Sequence, residues 1–401
     1  MHCRTFKRKN TVFMKICHVI TRMIVGGAQE NTFLSARGAV EDGHECVLLT
    51  GPTAGREGDL LSRVYNPGVK IVETPYLVRE ISPLTDLKAV FALKKFFEEN
   101  KFDVVHTHTS KAGIIGRIAG KLAKVPVVTH TIHGLAFGPY EGFIKNLIYV
   151  TSEKFSAFCC DRTYAVAQAM IDQCLERNIG KKDLYKVVYS GMELDRFLEA
   201  ESEEELRKSL NIPPERKVIG AIARLFPRKG YEELIPAFGK IVEKHPDTHL
   251  LIVGDGPSRY DYEKMLAGMG LTDHVSFAGL VSPDEVCRYV ALMDIAVHLS
   301  LKEGLPRVAV QALAEGKAVV AYDLDGTPEV VRTGETGVLI SPLDWHAAAD
   351  AVCRLLDSPE ELKRMGKNGR ALVRELFPWK RMSDILLEDY KLLLAEKAGK
   401  N

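Results

Sequence analysis

Two short segments in the second half of this 401-residue chain carry side chains whose types and spacing suit chemistry on a phosphate. One places Arg224 and Lys229 five residues apart, directly after an apolar run typical of a strand. Arg binds phosphate as a planar fork and Lys as a point charge, so the pair suits a diphosphate. The other places Glu303 and Gln311 eight residues apart, across a turn that runs into a helix. A carboxylate and an amide there suit hydroxyl groups of a sugar attached to that diphosphate.

Length and composition favour a nearly neutral globular protein of two domains. The 401 residues exceed what most single cores contain, and 46% are hydrophobic and 27% charged. With 54 basic and 53 acidic residues, a general nucleic-acid-binding surface is not expected. The eight cysteines form no Cys-x-x-Cys pair, which indicates free thiols in a reducing compartment rather than disulfides or a zinc site.

Short β-branched runs alternate with helical patterns, and the alternation occurs twice. This pattern is typical of parallel sheets wrapped by helices, and it predicts an α/β protein with two Rossmann-like domains. The predicted strands of the first series are 15–23, 45–50, 69–74, 103–108 and 126–131, and those of the second are 217–223, 249–253, 274–278, 295–299, 318–323 and 337–340.

The same pattern sets the predicted domain boundaries. The first domain covers 14–197 and the second 217–377, while an acidic, proline-containing segment at 198–216 is interpreted as an exposed linker. Residues 378–401 form the last predicted helix.

No segment of the sequence reads as a membrane span or a secretion signal. Basic residues near the N-terminus precede only a weak apolar run, so residues 1–13 are predicted to be a disordered extension. Residues 87–97 mix lysines with phenylalanines, and an ordinary packed helix is favoured over one that lies on a membrane. A cytoplasmic location is expected.

Ligands of open α/β sheets bind beyond the carboxyl ends of the strands, and glycines occur at two such places. Gly26 and Gly27 follow the first strand and open a helix, which suits either an anion at the helix N-terminus or a plain tight turn. Gly254 and Gly256 begin a dinucleotide-binding pattern, but Arg259 stands where its third glycine belongs.

Histidines and aspartates also follow predicted strands. His106 and His108 share one strand face and could ligate a metal, although no cysteine or acid lies at metal-ligand spacing nearby. For His133 we favour a hydrogen-bonding role at the strand end over a purely structural one. Asp323 and Asp325 have the Asp-x-Asp form of some metal-binding transferases, but a turn that leads into a helix is the preferred interpretation. No metal site is predicted.

Taken in order, these segments resemble family 4 of the retaining glycosyltransferases, which have the GT-B fold of two Rossmann-like domains facing across a cleft. The resemblance covers nearly the whole chain, and it implies that the last helix crosses back to the first domain. The motifs that carry it are 26–29, 103–108, 110–113, 130–134, 223–230, 251–257, 303–311 and 327–331.

The resemblance also implies roles for particular residues. Arg224 and Lys229 would grip the donor diphosphate, Glu303 would touch the transferred sugar, and His133 would lie near the reacting anomeric centre. The family usually has a second glutamate where this chain has Gln311, at the position that binds the ribose hydroxyls. The remaining donor-binding residues implied by the resemblance are Gly26, Gly27, Gly304 and Leu305.

The implied reaction is the transfer of a sugar, with retention, from a UDP-, GDP- or ADP-sugar to a hydroxyl group of a lipid-linked glycan acceptor. Family analogy places this in cell-surface polysaccharide synthesis, with peripheral contact at the inner face of the membrane. No cofactor beyond the donor substrate and no metal would be needed. Three alternatives remain: a noncatalytic nucleotide-sugar-binding subunit, an epimerase with the GT-B fold, and a dehydrogenase, which the glycine patterns disfavour.

Overall fold

The computed structural model describes residues 13–53, 58–80 and 82–399. The predicted disordered extension therefore lies outside the described residues, except for Phe13. The chain divides into two compact units. The first contains the residues up to Ala165, 171–191 and those from Trp379 onward, and the second contains 166–170 and 192–378.

The first unit is built on a parallel sheet of seven strands in the order β3-β2-β1-β4-β5-β6-β7. The predicted strands of the first series all form, and β6 and β7 are additional. These two are short, and each contains a single β-branched residue, so they lack the β-branched runs that identify the other strands. The strands are β1 (Lys15–Ile20), β2 (Glu45–Thr50), β3 (Lys70–Glu73), β4 (Val104–His108), β5 (Val127–Ile132), β6 (Arg162–Ala165) and β7 (Tyr185–Val187).

Alternate residues of these strands point to opposite faces of the sheet, and each face has its own apolar core. Ile16 and Ile20 pack with helices α1 and α14, whereas Cys17 and Val19 pack with α2 and α3. Helix α14 thus belongs to the first unit although it follows the second in sequence. The helices are α1 (Gly27–Glu41), α2 (Pro83–Asn100), α3 (Ser110–Leu122), α4 (Phe143–Ala157), α5 (Gln168–Glu176), which begins in the second unit, and α14 (Trp379–Ala398).

The second unit is built on a parallel sheet of six strands in the order β10-β9-β8-β11-β12-β13. These six strands agree with the second predicted series to within two residues at each end. They are β8 (Lys217–Ile222), β9 (Thr248–Val253), β10 (Val275–Gly279), β11 (Ile295–His298), β12 (Ala318–Tyr322) and β13 (Gly337–Ile340).

The helices of the second unit cover a core of leucine, isoleucine, valine and aromatic side chains. Within the segment predicted as a linker, residues 204–209 are helical, and the whole segment belongs to this unit. The helices are α6 (Asp195–Leu198), α7 (Glu204–Ser209), α8 (Tyr231–Lys244), α9 (Arg259–Gly268), α10 (Val286–Ala291), α11 (Arg307–Ala314), α12 (Trp345–Leu356) and α13 (Pro359–Leu376).

Both sheets reverse their strand order next to the first strand. In the first unit β1 lies between β2 and β4, and in the second unit β8 lies between β9 and β11. At such a switch point the loops after the two central strands run in opposite directions and leave a crevice at the carboxyl edge. The loop after β8 carries Arg224 and Lys229, and the loop after β11 carries Glu303.

The predicted α/β fold with two parallel-sheet, Rossmann-like domains is confirmed by these two sheets. The described helices include none with the length and apolar character required to cross a bilayer.

Candidate functional site

The loop between β8 and α8 carries Arg224 and Lys229, and its neighbours hold it closely. The backbone N–H of Leu225 donates to the Asp255 carbonyl at 3.0 Å, and the Leu225 side chain is fully buried. Gly256 lies so close that a β-carbon there would come within 2.3 Å of the Leu225 carbonyl oxygen. The second of the two glycines in the incomplete dinucleotide pattern therefore serves close backbone packing. Arg224 is exposed at the carboxyl edge, with its guanidinium carbon 5.2 Å from the Phe226 ring centre.

The central contact of the site joins Lys229 to Glu303. The Lys229 Nζ atom lies 2.8 Å from Glu303 Oε1 and 3.2 Å from Ser300 Oγ. His298, the last residue of β11, approaches the same carboxylate oxygen to 3.5 Å through Nε2. A carboxylate, an ammonium and an imidazole therefore meet at the switch point of the second sheet.

The loop after β11 is fixed to its neighbours by backbone contacts. The Glu303 N–H donates to Asp325 Oδ2 at 3.1 Å, and the Leu301 N–H donates to the Arg228 carbonyl at 3.1 Å. Gly230 has φ +84°, and a β-carbon there would lie 2.2 Å from the Leu299 carbonyl oxygen. The Asp-x-Asp segment forms a turn ahead of the 3-10 helix Thr327–Glu329, as interpreted from the sequence, and one of its carboxylates positions the Glu303 backbone.

The surroundings of Glu303 keep its carboxyl group ionised. Burial alone would raise its pKa, but the neighbouring His298 and the positive charge of Lys229 outweigh burial and lower the pKa below its usual range. The group therefore accepts hydrogen bonds at neutral pH and has no proton to donate. An acceptor of this kind suits sugar hydroxyl groups.

The other predicted donor-binding residues of this unit lie around the start of α11. Leu305 is buried, while Gly304 is partly accessible in the turn before the helix. Gln311 lies in the second turn of α11 and is half-buried. The helix begins at Arg307, so the backbone N–H groups of its first turn have no partner within the helix itself.

In the first unit, His133 ends a chain of hydrogen-bonded imidazoles. Its Nε2 lies 3.0 Å from His108 Nδ1, and His108 Nε2 lies 2.9 Å from His18 Nδ1. His18 and His108 are fully buried in the strands β1 and β4. The second nitrogen of His18 has no hydrogen-bond partner among the described residues.

His106 belongs to the same cluster but makes different contacts. Its two nitrogens meet the Tyr390 hydroxyl and, at 2.7 Å, Thr131 Oγ1. Burial lowers the pKa of His18 to about 3 and that of His106 and His108 well below the usual range, so these rings are neutral. In the described part of the chain, His18, His106 and His108 are close enough to share a metal ion, but five of their six nitrogens already make hydrogen bonds.

His133 also lines a cavity of about 220 Å³ within the first unit. Arg117 and Glu153 form a largely buried ion pair of 2.7 Å in its wall. His130, whose Nδ1 lies 3.0 Å from Thr107 Oγ1, and Tyr185 line it as well. The cavity wall thus contains the imidazoles of His130 and His133 together with a charged pair.

Gly26 and Gly27 lie where β1 leads into α1, beside the switch point of the first sheet. Gly26 is the residue before the helix, with extended backbone, and Gly27 is its first residue. Across the switch point the hydroxyl groups of Thr21 and Thr109 lie 3.0 Å apart. The prediction from the sequence that a helix begins at these glycines is therefore confirmed.

Several residues of the two sites were not predicted from the sequence. His298, Ser300 and Asp325 contact Lys229 or Glu303, and His18 and Arg117 surround the first-unit histidines. For His298 and Ser300 a signal existed, because His298 ends β11 and Ser300 follows it, and β11 neighbours β8 in the common Rossmann order. Arg117 lies in a helix that also contains Lys111 and Lys121, and nothing local distinguishes it from these lysines as a buried residue.

Comparison with known families matches both halves of the chain. The model described as glycosyl transferases group 1 matches residues 202–372, and the one described as a glycosyl transferase 4-like domain matches residues 26–191. A UDP-Gal:α-D-GlcNAc-diphosphoundecaprenol α-1,3-galactosyltransferase of Escherichia coli is 28% identical over 364 residues, covering 89% of this chain and 91% of the relative. The capsular polysaccharide biosynthesis glycosyltransferase CapM of Staphylococcus aureus is 26% identical, covering 80% of this chain and 85% of the relative.

Solved structures show the same fold. Anabaena HepE, in complex with UDP and glucose, has a TM-score of 0.78 at 22% identity and covers 94% of this chain and 99% of its own. A sucrose-phosphate synthase of Thermosynechococcus elongatus has a TM-score of 0.81 at 23% identity and covers 96% of this chain and all of its own. The predicted resemblance is therefore confirmed: the chain is a glycosyltransferase that belongs to the group 1 family, of the family 4 type, with the GT-B fold.

Proposed function

We propose that this chain moves a sugar, with retention of anomeric configuration, from a nucleoside-diphosphate sugar to a hydroxyl group of a lipid-linked glycan. The Escherichia coli relative is named for a UDP-galactose donor and a diphosphoundecaprenol-linked acceptor, and the Staphylococcus aureus relative for capsular polysaccharide biosynthesis. These names support a role in cell-surface polysaccharide assembly. A UDP-sugar is the first donor to test, because HepE was solved with UDP.

The contact between Lys229 and Glu303 carries the proposal. It places a cation for the diphosphate 2.8 Å from an ionised acceptor for sugar hydroxyls. In a nucleotide sugar the sugar and the diphosphate are directly joined, so one donor can meet both groups at this edge of the sheet. The exposed Arg224 at the same edge of the sheet supplies a second, forked cation.

The mechanism follows from where charge develops. As the bond between the anomeric carbon and the phosphate oxygen breaks, the sugar ring becomes cationic and the leaving phosphate gains negative charge. Lys229 and Arg224 stabilise that phosphate, which lowers the barrier because the stabilisation increases toward the transition state. The acceptor oxygen bonds to the anomeric carbon, and its proton passes to the departing phosphate oxygen. With two side-chain cations at the phosphate, the proposal assigns no role to a metal ion or a cofactor.

In this proposal the acceptor reacts on the face from which the phosphate departs, so the configuration is retained. The ionised Glu303 holds the transferred sugar through its hydroxyl groups. By the family resemblance, we assign His133 a position near the reacting anomeric centre. Gly26, Gly27, Gly304, Leu305 and Gln311 complete the donor contacts.

Donor binding is tested by thermal unfolding with UDP-, GDP- and ADP-sugars. A ligand at 100 times its Kd stabilises the protein by about 2.7 kcal/mol, so one nucleotide class should raise the unfolding temperature measurably. Transfer is then followed with radiolabelled donor and lipid-linked acceptors, and the anomeric configuration of the product is read by NMR. An inverted product would overturn the retaining mechanism.

The same assay separates the alternatives. Donor binding without transfer to any acceptor would indicate a noncatalytic nucleotide-sugar-binding subunit. Conversion of the donor to an epimer without acceptor would indicate an epimerase of the same fold. Stabilisation by NAD, with none by any nucleotide sugar, would favour a dehydrogenase and refute the proposal.

We further propose that the protein works on the cytoplasmic side of the membrane and binds there peripherally. An acceptor anchored in lipid brings its reactive hydroxyl group to the membrane surface, while nucleotide sugars are dissolved in the cytoplasm. Cell fractionation tests this: the protein should be recovered with membranes and be released by high salt or carbonate.

A further inference from the structure

Helix α4 of the first unit exposes apolar side chains on its outer face. A single buried residue, Ser156, lies within its 15 residues. Phe143 is 80% exposed and Phe158, directly after the helix, is 84% exposed. The complete set of large exposed apolar residues here is Phe143, Ile144, Leu147, Ile148, Phe155 and Phe158.

These side chains lie on one face of the helix. At about 3.6 residues per turn, positions 144, 148, 155 and 158 form one stripe, and positions 143 and 147 lie beside it. The opposite face is polar and points to the protein. There Asn146 forms hydrogen bonds with the backbone of Gly138, and Glu153 pairs with the largely buried Arg117.

This orientation is the reverse of the usual one for a helix on a globular protein. Surface helices normally bury their apolar stripe against the core and expose the polar side. A contiguous apolar face in contact with water is unfavourable, and such faces mark interaction surfaces. The inward hydrogen bonds and the ion pair fix the helix in this orientation.

The charges around the face are predominantly positive. The single acid of the helix, Glu153, is engaged by Arg117, and Lys145 pairs with Glu141 at 2.5 Å just before the helix, so Lys154 is the remaining charge of the helix itself.

A groove at this end of α4 adds another cation to the border. Lys181 lines it together with Lys154 and Phe158. The acids Asp161 and Asp183 line the same groove, and Asp161 pairs with Lys397 at 2.6 Å, so the cations Lys154, Lys181 and Lys397 outnumber the two acids. The exposed end of the helix therefore carries more positive than negative charge.

Apolar side chains bordered by lysines fit the surface of an anionic phospholipid bilayer. The apolar side chains enter the boundary between headgroups and acyl chains, while the ammonium groups meet lipid phosphates. A second copy of the chain fits less well. In a two-fold dimer the same patch faces itself and would bring lysines together.

We propose that α4 is the membrane-docking surface of this protein, with its apolar face inserted among anionic headgroups. The inference rests on the proposed function, whose acceptor is anchored in lipid. Helix α4 would then contact the membrane with its outer face and the acceptor cavity with its inner face, because Glu153 on the inner side lines the same first-unit cavity as His133. The acceptor would reach the protein at the helix that touches its membrane.

The test uses the full chain and vesicles of equal parts phosphatidylglycerol and phosphatidylcholine. The variant Phe143→Ser/Leu147→Ser/Phe155→Ser removes three exposed side chains and leaves the inner contacts in place. We expect wild type to float with the vesicles and the variant to bind at least about tenfold more weakly, since each inserted side chain adds to the partition free energy. The matched control, Tyr260→Ser/Leu280→Ser/Leu392→Ser, removes equally exposed side chains elsewhere and should bind as wild type does.

A second variant tests the charges. Lys154→Glu/Lys181→Glu should weaken binding to the anionic vesicles and reduce its dependence on salt, with little effect on vesicles of phosphatidylcholine alone. Equal binding of both altered proteins and wild type, or no binding by wild type, would overturn the proposal. The proposal would also be overturned if vesicles bound neither wild type nor the serine variant, while sedimentation showed that wild type self-associates and that the serine variant does not.

Stabilisation by UDP is measured on every variant to keep the two proposals distinguishable. A variant that no longer binds vesicles but is stabilised by UDP as wild type is would support the docking surface independently of the donor site. Absence of any nucleotide effect in wild type, with vesicle binding that depends on α4, would refute the proposed donor site and leave the surface standing.

Discussion

Lys229 and Glu303 form an ion pair of 2.8 Å across 74 residues of sequence. Each is the other's charge partner before any substrate binds, so a donor diphosphate must draw the ammonium group toward itself. The pair keeps both side chains in place between turnovers. A substitution of either residue therefore removes the charge partner of the other.

Lys229→Ala should leave a folded protein that is nearly inactive. Removing one preorganised group that stabilises the leaving charge typically costs about 10²–10³ in rate. The measurement is kcat for sugar transfer with circular dichroism as a check of folding. Lys240→Ala, which removes a surface lysine paired with Asp350, is the matched control and should retain activity. Turnover like that of wild type in Lys229→Ala would refute the assignment.

Glu303→Gln should separate binding from catalysis. The amide has no charge to hold Lys229, so free UDP should bind at least as tightly as to wild type, while transfer slows because the sugar loses an ionised acceptor. Calorimetry with UDP and kcat with the full donor measure the two effects. Weaker UDP binding together with normal kcat would contradict the proposed positions of phosphate and sugar.

Gln311→Glu tests the position at which this chain departs from its family. Both side chains can accept a hydrogen bond from a ribose hydroxyl, and one such bond is worth about 1 kcal/mol, or roughly fivefold in affinity. We therefore expect a change in donor KM of that order and no loss of reaction class. A change of several hundredfold in kcat would show that Gln311 acts on the reacting bond instead.

The imidazole chain should fix the tautomer of His133. An N–H of His18 at Nε2 would be a buried donor without a partner among the described residues, so His18 is expected to carry its proton on Nδ1. It then donates to His108 Nε2, and His108 donates through Nδ1 to His133 Nε2. His133 is left with its proton on Nδ1 and acts as a hydrogen-bond donor there. Nitrogen-15 NMR of labelled histidines reads the tautomers directly.

A proton on His133 Nε2 in those spectra would contradict this assignment. His108→Asn, which interrupts the chain, should let His133 sample both tautomers. If His108 served only to fill space, the His133 signals would keep their positions in that variant.

The first unit should lose stability in mild acid. The pKa of His18 is about 3 when folded, against an ordinary value of 6.5, so between these values the unfolded chain binds more protons. Stability therefore falls as the pH drops below 6.5, by about 2 kcal/mol from His18 alone between pH 7 and 5. His106 and His108 act in the same direction.

The two tryptophans of the chain make this measurable, because Trp379 belongs to the first unit and Trp345 to the second. In Trp345→Phe, urea unfolding followed by Trp379 fluorescence should show a midpoint that falls steadily from pH 7 to 5. A midpoint independent of pH over that range would contradict the buried neutral histidines.

Much of the fold and part of the site could be predicted from local patterns. Alternating apolar runs identify most strands of both sheets, because a buried parallel strand needs β-branched residues whatever its neighbours are. The loop residues Arg224 and Lys229 could be recognised because chemistry beyond a strand end depends on what immediately follows it. The short strands β6 and β7 could not, since each contains a single β-branched residue and neither forms a β-branched run.

The sequence by itself determined the fold class and the family, and it indicated the residues that we propose for the donor phosphate, since each is encoded by residues adjacent in the chain. Only the tertiary structure decided that Lys229 meets Glu303, that His18 supports His133 through His108, and that α14 completes the first unit. These contacts depend on which strands and helices become neighbours. The outward apolar face of α4 is the clearest case, because helical spacing gives the same pattern whether the apolar side points to the core or to solvent.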